Sequence, residues 1–384
     1  MRSEAFSNRV IPLGSNLAAI PERLLLAHAH GEVLFVVGAG VSKPAGHPDF
    51  RGLVLRVYQQ LDAPVYRVVS AIPKSACNQY KVDESGLTDQ QVAEIRRFIL
   101  GDYDVVLGML ERRIDGQSPG RSRVRQTIEK ELRDTSIRPA GIHKALMRLS
   151  DRGAATTIVT TNFELLLETS AKMLGQKVET YALGGIPRPG RGEDFSGVLH
   201  IHGALDPDPA RTSDLVVSDQ DFGEFYLRRR VVPDFIYDAA RLFNIVLVGY
   251  SANDPPMRYL LNAVAADGTR FDDLKERFTF VGVSNPDPVQ LEDWKGRGIT
   301  PIPYDSIGGH SVLLQSLERW ATLSAVNGRS KDLDAEIRRI VGTSRRASTE
   351  ADRDLFDHLF RRSSSNERVR MSGVASKHHA NHEW

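Results

Sequence analysis

Five short runs of apolar and β-branched residues punctuate the chain: Val33–Val37 (VLFVV), Thr156–Thr160 (TTIVT), Val198–Ile201 (VLHI), Ile245–Val248 (IVLV) and Phe278–Val283 (FTFVGV). Such unbroken runs, bounded by turn residues, are the pattern of strands buried on both faces. Between most of them apolar residues recur at helical spacing. Phe163, Leu166, Leu167, Ser170 and Leu174 form one such stripe, and Met257, Leu260, Leu261 and Val264 another, opened by Asn253, Asp254 and Pro255. Strand alternating with helix predicts an α/β fold, a Rossmann-like parallel sheet with helices on both faces.

Residues 63–150 break this rhythm. Helical patterns run over Gln90–Leu100, Asp104–Ile114, Val124–Leu132 and Ile142–Leu149 without a convincing strand pair, which predicts a helical insertion. Gly184–Gly197 and Asp206–Thr212 are rich in Gly, Pro and charge and read as surface loops bordering a site. Two amphipathic C-terminal helices follow, Leu333–Ile340 and Asp352–Phe360. The expected organisation is an N-terminal arm (1–30), a main domain (31–325) carrying the insertion, C-terminal helices (326–361) and a polar, disordered tail (362–384).

Composition narrows the function classes. Among 384 residues, Lys plus Arg number 50 and Asp plus Glu 49, a net charge of +1, which gives no case for a whole-surface polyanion binder. The basic cluster Arg228–Arg230 and the arginines between Arg121 and Arg138 are interleaved with Glu129, Glu131 and Asp134, so a solvated helix face is the default reading over nucleic-acid contact. Cys77 stands alone, so neither an intramolecular disulfide nor a four-cysteine zinc site can be built. The N-terminal residues MRSEAFSNRVIPLGSN lack the apolar core of a secretory signal, no segment has the apolar length of a membrane span, and a cytoplasmic location is expected.

The strongest local signal is Val36–Gly52 (VVGAGVSKPAGHPDFRG), directly after the first strand. Two glycines at such a turn let backbone N–H groups approach a pyrophosphate closely. The dinucleotide fingerprint is incomplete, because its third glycine falls on Lys43 and no acid ends a second strand about 20 residues on. It is not a Walker motif either, since Gly46 is followed by His47. Taken alone, Asn162 reads first as a helix N-cap, His202 as a satisfied core histidine, Asp219 and Asp221 as cap or surface residues, and His378, His379 and His382 as a floppy tail rather than metal ligands.

Taken together, GAGVSKPAGHPDFR resembles the sirtuin signature Gly-Ala-Gly-x-Ser-x-x-x-Gly-Ile-Pro-Asp-Phe-Arg, departing only at His47. Further pieces follow in the family's order: Thr161-Asn162-Phe163-Glu164 for Gln-Asn-Ile-Asp, His202-Gly203 for the catalytic His-Gly, Gly249-Tyr250-Ser251 for Gly-Thr-Ser, and Ser284-Asn285 for the ribose-contacting Asn. The resemblance implies an NAD site. Gly38, Ala39, Gly40 and Ser42 would lie near the phosphates with Arg51 closing over them, Asp49 and Phe50 at the nicotinamide end, Asn162 near the ribose C1′, His202 as base, and Gly249, Ser251 and Asn285 on the pyrophosphate and adjacent ribose. An Asn that orients the ribose and nucleophile, and a His that takes a proton, suit the oxocarbenium-like charge of glycosidic cleavage.

Departures refine the expectation. The four-cysteine zinc ribbon of protein-deacylating sirtuins is absent, so no zinc is expected, and Glu164 replaces the family's Asp. This combination looks like the sirtuin-like domains of bacterial anti-phage defence systems, which hydrolyse NAD+ to nicotinamide and ADP-ribose. Among these it most resembles the subunit that partners a HerA-type ATPase. NAD would be the substrate, and homo-oligomerisation or a defence partner would gate activity. A sirtuin-type deacylase or ADP-ribosyltransferase, and a non-catalytic NAD- or ADP-ribose-binding scaffold, are the alternatives.

Overall fold

The computed structural model describes residues 9–116, 122–133, 136–153, 155–190, 195–205, 215–250, 255–268 (backbone only for 255–259 and 267–268), 274–284, 288–326, 328, 330–377 and 384. Its centre is strand β3, Val33–Val37, whose five apolar residues are all buried. β3 pairs in parallel with β4 (Thr157–Thr160) on one side and β7 (Asn244–Val248) on the other. Beyond β4 come β6 (Gly197–His200) and β5 (Glu179–Tyr181); beyond β7 come β8 (Arg277–Val283) and β9 (Thr300–Asp305). The seven-stranded sheet therefore runs β5-β6-β4-β3-β7-β8-β9, all parallel, which is the predicted α/β class.

Register decides where the site lies. Val37 stands opposite both Thr160 and Val248, and Thr160 opposite His200, so four strands end in one row. The chain moves outward from β3 in both directions, and the carboxyl ends at such a switch point form a crevice. Gly38, Asn162, His202 and Gly249 each lie one or two residues beyond that row.

One face of the sheet packs on helices Glu22–Ala29, Gly141–Ser150, Leu166–Met173, Ser311–Leu323 and the C-terminal helices, around Phe35, Leu146, Leu317 and Trp320. The other packs on Val231–Leu242, around Leu247, Phe235 and Phe195. A third core, built on Tyr58, Ile95, Leu107 and Ile128, belongs to helices Phe50–Leu61, Ala63–Ala71, Asp89–Leu100, Tyr103–Asp115 and Arg123–Leu132.

The insertion is thus displaced from the expected 63–150. Helix Phe50–Leu61 joins it through Leu53, Val54, Val57 and Tyr58, and helix Gly141–Ser150 leaves it for the sheet. The N-terminal segment is integral, with hairpin β1–β2 (Val10–Pro12, Ala19–Pro21) burying Ile11 and Ile20 completely. The tail is corrected as well: Ser365–Ser376 is a helix with a Ser364–Glu367 capping box and buried Met371. Trp384 packs on Phe356 at 4.8 Å and donates its indole N–H to Thr343 O at 2.9 Å. His378, His379 and His382 lie outside the described residues. Among the described residues no helix is long and apolar enough to cross a membrane.

Candidate active site

Two turns meet at the switch point. Gly38 N donates to Val248 O at 3.0 Å and Gly40 N to Gly249 O at 2.9 Å. A Cβ on Gly40 would come within 2.7 Å of Gly249 O, and one on Gly249, where φ is +62°, within 2.7 Å of Val41 N. Both positions require glycine because backbone lies against backbone. The amides of Val41 and Ser42 donate to Gly38 O and Ala39 O. In this conformation those four amides hold the turn together.

The turn after β4 closes on the same place. Thr161 N donates to Val37 O, and Asn162 N to Thr160 Oγ1 at 3.0 Å. The Asn162 side-chain amide donates to Gly38 O at 3.2 Å and to Ser42 Oγ at 3.0 Å. Asn162 does not cap a helix, because the following helix begins only at Leu166. It joins the β3 and β4 turns instead.

Ser42 is the hub beneath them. Its buried hydroxyl accepts from Asn162 and donates to Glu164, while His143 Nε2 lies at 3.4 Å. His143 Nδ1 accepts from Ala140 N at 3.1 Å, so the ring proton is on Nε2, facing Ser42. Glu164 Oε2 accepts from Leu166 N, which puts the carboxylate at the start of a helix as well as under the turn. Burial pushes Glu164 up to about 6 and His143 down to about 4. The longer side chain of Glu164 therefore reaches Ser42 as a buried acceptor.

His202 follows two residues after the end of β6. It is buried, its Nε2 and the Tyr226 hydroxyl are 2.7 Å apart, and its ring meets Phe222 edge-on at 5.4 Å. Burial holds its pKa down to about 3, so the ring is neutral. Tyr226 sits in a π-helical turn, Gly223–Arg228, that follows the short helix Asp219–Phe222. Ser218 caps that helix and Asp221 completes its capping box.

The first motif splits after Gly46. Asp49 caps helix Phe50–Leu61 by accepting from Gly52 N at 2.8 Å, and pairs with Lys43 at 2.9 Å. Burial opposes its ionisation, but Lys43 and the Gly52 amide outweigh this and bring it down to about 2. Phe50 meets Tyr103 edge-on. Arg51 does not close over the crevice here: its guanidinium donates to Ile72 O at 2.6 Å and lies over the Phe98 ring, both in the insertion. Ala39, half-buried, heads the turn. Ser251 and Asn285 lie outside the described residues. The structure thus brings Gly38, Gly40, Ser42, Asn162 and Gly249 together and turns Asp49, Phe50 and Arg51 toward the helical lobe.

Sequence reasoning missed His200. Fully buried, it lies 2.7 Å through Nδ1 from Asn162 O and 2.8 Å through Nε2 from Glu168 Oε1. The basic clusters are locally answered. Arg228 and Arg229 pair with Glu224, Arg230 with Asp234, Arg123 with Asp115, and Arg133 with Glu129. Among the described residues no group of three His, Cys, Asp or Glu side chains is arranged to hold a metal.

Residues 156–302 match the family model described as SIR2-like domain. An uncharacterized protein of Sinorhizobium fredii (strain NBRC 101917 / NGR234), y4cA, is 34% identical over 313 residues, which are 79% of this chain and 24% of that protein. The chain spans about a quarter of that curated relative's length. A chain solved under the description "Structural Basis for the Mechanism and Regulation of Sir2 Enzymes" shares 14% identity, covers 79% of this chain and 97% of its own, and superposes with a TM-score of 0.39. The matched stretch, from β4 to within β9, is sirtuin-like and contains Asn162, His200, His202 and Gly249.

Proposed function

We propose that the crevice at the carboxyl ends of β3, β4 and β7 binds NAD+ as substrate and that the chain hydrolyses it to nicotinamide and ADP-ribose. The observation that carries this reading is the Asn162 amide anchored on Gly38 O and Ser42 Oγ, in a stretch whose family match is SIR2-like. Water adds at the ribose C1′, the bond to the nicotinamide nitrogen breaks, nicotinamide departs with the bonding pair, and water's second proton is released. Asn162 orients ribose and water. His202 accepts a proton from a ribose hydroxyl or from water.

A histidine held neutral down to about pH 3 is a weak base, and the Tyr226 hydroxyl occupies its Nε2. This supports reading the conformation as a resting one. In this proposal assembly opens the site, through copies of the same chain or a HerA-type partner ATPase, and the chain is the effector of an anti-phage defence system. The motif resemblance is the basis for that setting. The test is nicotinamide release followed by chromatography for wild type, Asn162→Ala and His202→Ala, each alone and with the ATPase. Release by wild type only is expected. Bound NAD+ with no turnover under any condition would favour a nucleotide-binding scaffold.

A further inference from the structure

We propose that His200, clamped between the Glu168 carboxylate and the main-chain carbonyl of Asn162, is a positioning residue that fixes where the Asn162 amide stands at the crevice. The inference rests on the proposed NAD+ site for its kinetic readout, and on hydrogen-bond geometry for everything else.

Both partners of the His200 ring are acceptors. A carbonyl accepts at 2.7 Å from Nδ1, and a carboxylate accepts at 2.8 Å from Nε2, so both nitrogens must carry protons for both bonds to form. Burial opposes the charge, but Glu168, the Asn162 carbonyl and the more distant Glu164 outweigh it and the net direction is upward. Glu168 comes from helix Leu166–Met173 and its Oε1 also accepts from Thr180 Oγ1 of β5 at 3.0 Å. A chain of bonds therefore runs from β5 through Glu168 and His200 to the turn after β4.

Asn162 is held at every polar point named for it. Its N–H goes to Thr160, its C=O receives His200, and its amide reaches Gly38 and Ser42. A buried ion pair is a poor way to gain stability compared with apolar packing. Its use here is registry: it pins the one carbonyl whose rotation would swing the Asn162 side chain off the β3 turn.

The experiment uses two variants of the full chain. His200→Phe fills the space but removes both donors. Glu168→Gln removes the charge but lets a neutral His200 donate from Nδ1 to Asn162 and accept at Nε2 from the Gln amide. For nicotinamide release, His200→Phe is expected to lower kcat by at least about tenfold with a much smaller change in KM. Wild-type activity is expected to decline on the alkaline side as His200 deprotonates, and Glu168→Gln should stay within a few fold of wild type and lose that decline. The Asn162 side-chain amide resonance should shift in His200→Phe and stay near its wild-type position in Glu168→Gln. An unmoved Asn162 resonance in folded His200→Phe, or unchanged kcat, overturns the positioning role. If wild type releases no nicotinamide with any partner while the Asn162 resonance still shifts, the clamp stands and the hydrolase reading falls.

Discussion

The Asn162 side-chain amide donates to Ser42 Oγ at 3.0 Å, and the two residues come from turns that follow different strands. Ser42 passes the link inward to Glu164. Replacing the hydroxyl leaves the amide with Gly38 O as its remaining named acceptor and a buried carboxylate one donor short. Ser42→Ala is expected to cost about 1–3 kcal/mol in a urea titration, the range for leaving a buried polar group unsatisfied. Nicotinamide release should fall alongside it. A variant of wild-type stability and activity would mean that Ser42 is a bystander.

Gly249 carries a steric argument. Its positive φ disfavours any side chain, and a Cβ would press into Val41 N at 2.7 Å. Gly249→Ala should destabilise the chain by about 1–3 kcal/mol and weaken NAD+ binding, because relief of the clash must part the two turns that frame the crevice. Calorimetric melting and NAD+ titration check both. Gly46 is the control: its added Cβ meets nothing, although its φ of +105° still makes Gly46→Ala strained. It should lose stability with less effect on binding.

Most of the sheet was legible in the sequence, since β3, β4, β6, β7 and β8 are short apolar runs buried on both faces. β9 was hidden by Pro301 and Pro303, which an edge strand tolerates because its outer side pairs with nothing in the sheet. β5 has only three residues. Helix Gly141–Ser150 has the same amphipathic pattern as those before it, and a pattern says which face is buried but not against which core. In the site, the strand-end motifs were readable where Gly38, Gly40, Asn162 and Gly249 converge. His200 was not, because two residues before His202 it reads as one more inward strand position. Nor does local spacing announce the bond from Ser42 to Glu164, 122 residues away.

Acid should unfold the protein through its buried histidines. Burial brings His202 down to about 3 and His28 and His143 to about 4, against an ordinary value of 6.5. The unfolded chain therefore binds more protons between pH 6.5 and 4, and stability falls as pH drops through that window. Glu164, raised to about 6 from 4.5, acts in the opposite sense. Its folded form binds the extra proton, so its contribution improves as pH falls from 6 toward 4.5, by about 2 kcal/mol. Glu164→Gln should therefore lose stability more steeply on acidification than wild type. Parallel curves in urea titrations at stepped pH would contradict the assigned direction.

The last prediction concerns the hold of the helical insertion on His202. Arg125, on helix Arg123–Leu132, donates to Glu111 at 2.8 Å, to Leu215 O at 2.8 Å and to Asp221 at 2.8 and 2.9 Å. Asp221 in turn accepts from Val217 N, Ser218 N and Ser218 Oγ. The next residue, Phe222, meets His202 edge-on, and one π-helical turn later Tyr226 reaches its Nε2. Arg125→Met keeps most of the packing volume but leaves Glu111 and Asp221 without their shared cation. Removing one partner of a fully buried pair costs 3–5 kcal/mol; with Arg125 about 15% exposed, a loss of about 2–3 kcal/mol is expected. The more telling effect is on His202. Loosening the 215–226 platform should let water reach the ring, so its pKa should climb from about 3 toward the ordinary 6.5. Titration of the His202 Cε1 proton by NMR reads this directly. A destabilised variant whose His202 still resists protonation would show that Phe222 and Tyr226 hold the ring without help from the insertion.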